Sequence, residues 1–113
     1  MDPKLLDQFI IFKNEHLTKK IIYEDEHLLS FTLNINVGHT VPAHSHDGSS
    51  LSIYVVEGMG DIIINKQTYK SEPGQIFYLF KNDSFAVSNV IKPLSLFVHI
   101  APNPDNPIYR QGR

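Results

Sequence analysis

Along the chain, apolar and polar residues alternate one by one rather than in helical turns. Leu29, Phe31, Leu33, Ile35 and Val37 are interleaved with Ser30, Thr32, Asn34 and Asn36, the period-two pattern of a strand with one buried face. LSIYVVE, DIII, TYK, IFYLF, FAVSN and LSLFVHI read the same way. Turn formers punctuate these runs: Gly38, Pro42, Gly48, Gly58, Gly60, Asn65, Pro73, Gly74, Asn82, Asp83, Asn89 and Pro93. INKQT predicts a tight hairpin with Asn65 and Lys66 at its tip. Only the first dozen residues leave a helix open, through PKLLDQF, and FIIF there fits a strand equally well. Many short strands with regular turn signals predict an all-β fold, an antiparallel barrel or sandwich. Its core spans about residues 29–101, after a short N-terminal extension and before an irregular, proline-rich tail at 102–113.

Composition narrows the function classes. A chain of 113 residues is a one-domain quantity of protein, so a single domain is expected over 1–113. It has no cysteine, which excludes disulfides, a thiol nucleophile and any thiolate metal site. Ten basic residues against 12 acidic ones leave a net charge of −2, so no nucleic-acid partner is expected. The start lacks the long apolar region of a signal or a membrane span; a cytoplasmic protein with no membrane partner is the expectation. Six histidines remain as the plentiful metal-binding or general-base side chain.

Two of them are placed by spacing. His44 and His46 stand two apart, so on a strand both point to one face with Cα atoms about 6.6 Å apart. Two neutral imidazoles of this kind suit a divalent transition metal: Zn, Ni, Fe or Cu. The context extends the pattern. Gly38, five residues, His44, Ser45, His46, four residues, Leu51, six residues, Gly58 is followed by Gly74, five residues, Phe80, Lys81, Asn82, two residues, Phe85, three residues, Asn89. In spacing this resembles the two motifs of the cupin superfamily over about residues 29–101. The resemblance implies a double-stranded β-helix, the cupin or jelly-roll barrel, and a homodimer.

The departures bear on chemistry. The family holds its metal with three histidines and one glutamate; the resemblance puts Leu51 at the glutamate and Phe85 at the third histidine, and neither donates to a metal. Asn82 stands where the second motif has glycine, and asparagine tolerates the left-handed backbone that glycine supplies. His99 lies on a strand whose other face carries Leu94, Leu96, Val98 and Ile100. The candidate ligand-binding set is therefore His44, His46, Leu51, Phe85, Phe80, Tyr78 and His99, with His44 and His46 as candidate metal ligands. These residues predict a small apolar site with a few polar groups, suited to a ligand with an apolar body and a polar or anionic head. Two function classes follow: a small-molecule-binding cupin without a complete metal site, and a metal-dependent dioxygenase or isomerase using His44 and His46. Whether the chain is an enzyme stays open at this level.

Overall fold

The computed structural model describes residues 2–80 and 82–104. After a short 3₁₀ turn at Leu6–Phe9, these residues form β1 (Thr18–Glu24), β2 (Leu29–Ile35), β3 (Val41–His44), β4 (Ser50–Ile64), β5 (Gln67–Lys70), β6 (Ile76–Leu79) and β7 (Phe85–Ala101). The spine is the antiparallel pair β4 and β7, bonded from Ser50↔Ala101 to Ile64↔Phe85. One half of it is flanked by β2 on β7 and β6 on β4, the other half by β3 on β7 and β5 on β4. β1 extends the first half by pairing with β2. Two leaves therefore share one spine.

The spine changes register between Val55 and Asp61, and Gly58 makes that change feasible. Gly58 has φ +100°, and a Cβ there would lie 2.1 Å from the Pro93 carbonyl oxygen. Only glycine fits so close an approach. Beyond this point the leaves enclose one apolar cluster, with Leu29, Phe31, Leu33, Ile35, Ile53, Val55, Leu94, Leu96 and Val98 from one leaf and Val41, Ile62, Phe85 and Val87 from the other. Each fully buried side chain of this size contributes about 1.5–3 kcal/mol of transfer free energy.

The sheet corrects the expectation of a closed double-stranded β-helix, or jelly-roll barrel. Its strands are all β and follow a cupin-like order, but the hydrogen-bonded path runs β1-β2-β7-β4-β5, with β3 bonded to β7 and β6 to β4, and does not return to its start. The edge strands explain why. β3 contains Pro42, which has no N–H to donate, and its register shifts between Val41 and His44. β1 carries Lys19 and Lys20 and shifts register between Ile21 and Tyr23. Proline, bulges and lysines are the usual means of ending a ladder.

β2 departs from its own pattern in an informative way. All seven of its residues are buried, so the Ser30–Thr32–Asn34 face is covered as well as the apolar one. The cover is the N-terminal segment. The Phe9 carbonyl accepts from Thr32 Oγ1 and, at 2.9 Å, from Asn34 Nδ2, and Thr18 Oγ1 donates to the Ile11 carbonyl. Asn34 Oδ1 in turn accepts from Ser95 Oγ at 2.8 Å. Short polar side chains satisfy the backbone of a crossing segment here, which is how polar residues are buried at low cost. Of the proline-rich tail, residues 105–113 lie outside the described residues.

Candidate functional site

β3 ends at His44, and the bulge before it turns His44 to the side of the layer that faces Phe85, its partner across the ladder. The two rings meet edge to face with centroids 5.8 Å apart. His46 lies past the strand end, in the loop that closes through the 3.2 Å hydrogen bond from Ser49 N–H to the His46 carbonyl. Gly48 supplies the positive φ that this turn needs. The His46 ring nonetheless returns to His44, edge to face at 5.0 Å. The imidazoles thus converge as the spacing predicts, although one is delivered by a loop rather than by a continuing strand.

His44 has a defined tautomer. Its Nδ1 lies 3.0 Å from the Pro42 carbonyl; a carbonyl only accepts, so Nδ1 carries the proton and the lone pair of the neutral ring sits on Nε2. Pro42 contributes through its backbone carbonyl, a role that its residue type does not announce. Asp47, next to His46, accepts a hydrogen bond from Ser45 Oγ at 3.3 Å.

Leu51 and Phe85, at the two positions where the resemblance departs from the family's ligands, are core residues. They are 7% and 4% exposed and belong to the apolar cluster. Leu51 pairs with Leu79 on one side and Ile100 on the other. The remaining candidates lie elsewhere. Leu94, Leu96, Val98 and Ile100 are the inward face of β7, so His99 is on the outer face. There its ring meets Phe97 edge to face at 4.5 Å and its Nδ1 is 3.5 Å from Ser52 Oγ. Tyr78 pairs with Ser52 on that outer face and is 68% exposed; Phe80 follows β6 and is 66% exposed. His44, His46 and Phe85 form one group, with Leu51 in the core, and Tyr78 and His99 on the opposite side of a leaf.

The donor set does not fit the family's four-ligand metal centre. Among the described residues, no three His, Asp or Glu side chains come together closely enough to hold an ion. Asn82 does adopt the left-handed backbone, with φ +68°, so the turn of the second motif survives while its ligand does not.

The pattern of the cupin domain family matches residues 31–100 of this sequence, and the strand order around His44 and Phe85 agrees with it. The chain belongs to the cupin family. Among solved structures, this cupin is similar to the TT1209 protein of Thermus thermophilus (23% identity, 90% of this chain and 98% of that one, TM-score 0.82). It is similar also to a conserved protein with a double-stranded β-helix domain from Klebsiella pneumoniae (14% identity, 90% of each chain, TM-score 0.81). A third is an RmlC-like cupin from Desulfovibrio desulfuricans (21% identity, 90% of this chain and 97% of that one, TM-score 0.79). At these identities the likeness is one of fold. No curated protein sequence matches the chain. The protein is thus a cupin-fold protein without a complete metal site of the family's kind among its described residues. No helix among those residues is long and apolar enough to cross a membrane.

Proposed function

We propose that this cupin binds a small organic molecule at the group formed by His44, His46 and Phe85, with no metal at the centre of the site. The observation that carries the reading is the placement of the His44 ring between Phe85 and His46 with its tautomer set by Pro42. Phe85 offers a ring face or edge to an apolar body. His44 Nε2 accepts from a hydroxyl or amide donor, or, once protonated, donates to an anionic head. The homodimer belongs to the same reading: Tyr54, Ile76 and Tyr78 are exposed together on the outer face of β4 and β6, a surface suited to a second copy.

The test begins with protein prepared without a polyhistidine tag and loaded with mixed divalent metals. Elemental analysis is expected to find far less than one ion per chain. A thermal-shift screen of aromatic and aliphatic acids and alcohols is expected to give hits that vanish in His44→Ala and His46→Ala while the circular dichroism spectrum is kept. One ion per chain, lost in His44→Ala, would overturn the proposal in favour of a metal-dependent enzyme. Native mass spectrometry reads the dimer.

A further inference from the structure

The layer that carries His44 has a second, unassigned concavity on its reverse side. Strand alternation puts His44, Phe85 and Ile64 on the inner face and their neighbours Ala43, Ala86 and Ile63 on the outer one, where Ile63 pairs with Ala86. Outer positions are normally wetted, yet Ala86 is only 9% exposed. It lies in a recess of about 320 Å³ lined by Ala43, Ile63, Ala86, Asn65, Lys66 and Ser84. That volume falls within the range of about 300–1,000 Å³ usual for small-molecule pockets.

The wall of the recess is built rather than accidental. Asn65 and Lys66 take φ of 50° and 71°, the geometry of a two-residue hairpin turn whose twist matches its strands. Asn65 is then clamped to the neighbouring loop: its N–H donates to the Ser84 carbonyl at 3.0 Å. Its side chain accepts from the Ser84 N–H and donates to Asp83 Oδ1, both at 2.9 Å. Asp83 Oδ2 accepts from the Phe80 N–H at 2.8 Å; its carboxylate is turned to the Asn65 amide and the Phe80 N–H and is not part of the recess lining. The lining is mostly apolar, two alanines and an isoleucine with Asn65 and Ser84, and Lys66 is the one charged residue among them.

We infer that this outer recess binds a small amphipathic carboxylate, a medium-chain fatty acid in its chemical class. The alkyl chain lies on Ala43, Ile63 and Ala86, and the carboxylate meets Lys66 Nζ and Ser84 Oγ at the rim. The alanines supply the space, and the single cation at the rim supplies the sign. The site is separate from the His44 group, which faces the other side of the same strands.

The probe is octanoate, titrated into isotope-labelled protein and followed by amide resonances. Shifts are expected at Ile63, Lys66 and Ala86, with octylammonium binding about fivefold more weakly, the size of a partly screened charged contact. Ala86→Leu fills the recess and is expected to abolish the shifts. Lys66→Glu, a fully surface change, is expected to reverse the preference towards octylammonium, and it keeps the test decisive where the larger core-side residue impairs folding. Octanoate binding should persist in His44→Ala. Equal binding of octanoate and octylammonium to the unaltered protein would overturn the inference. So would loss of octanoate in His44→Ala, which would place the acid at the inner group instead.

Discussion

At position 85 a phenylalanine ring fills the space beside His44 with 4% exposure, where the cupin resemblance calls for an imidazole. A third imidazole at that place would share the reach of His44 and His46. Phe85→His is therefore expected to raise bound zinc or nickel towards one ion per chain, measured by elemental analysis on tag-free protein. The same change trades a well-packed ring for a polar one in the apolar cluster, so it should lower unfolding stability in the absence of metal by about 2–4 kcal/mol. Asp83 carries a second prediction at this scale. The Asn65 side-chain amide, and then the Phe80 N–H, hold its carboxyl below the ordinary carboxylate value. Because the folded-state pKa is the lower one, its contribution is present above the unfolded value of 3.8 and is lost as pH falls through the folded value. Asp83→Ala should flatten the acid limb of a stability–pH curve below about pH 4 and leave its neutral-pH slope unchanged. The spacing that placed Phe85 was legible in the sequence, and so was the left-handed turn at Asn82. The carbonyl of Pro42 that sets the His44 tautomer was not, since a backbone acceptor leaves no mark in residue type.

Among the elements, β4 and β7 work as one bent ribbon, and Gly58 is where the bend is sterically possible. Gly58→Ala would put a methyl group 2.1 Å from the Pro93 oxygen at φ +100°. Backbone must move on both strands at once, and a loss of about 3 kcal/mol or more is expected, read as a lowered urea midpoint with an unchanged slope. The Asn65–Lys66 hairpin was readable because two turn-tolerant residues sit between two alternating runs. His99 was harder. Alternation showed that it lies opposite Leu94, Leu96, Val98 and Ile100, and only the burial of those four says that His99 is on the outside. β2 was harder again: its alternation predicts one wet face, and the structure covers both. Nothing local in Ser30, Thr32 and Asn34 says that a carbonyl from Phe9 will arrive over them.

In the whole molecule, that polar seam ties the start of the chain to its last strand. Asn34 donates to the Phe9 carbonyl and accepts from Ser95, bridging partners on either side of β2. Asn34→Ala leaves the buried Ser95 hydroxyl without this partner and the part-buried Phe9 carbonyl with Thr32 alone, and about 1–3 kcal/mol of stability should go with the change. Limited proteolysis should then cut the segment around Phe9 before the sheet itself unfolds. By itself the sequence determined the strands, the hairpin, the family spacing and the loss of two metal-ligand positions, because alternation and motif spacing depend on residues close together in the chain. Tertiary structure alone decided that the sheet stays open, that a loop brings His46 back to His44, that β2 is covered on both faces and that a recess opens behind His44. Each of these depends on which distant backbone groups find hydrogen-bond partners, and that is settled only when the leaves and the N-terminal segment pack together.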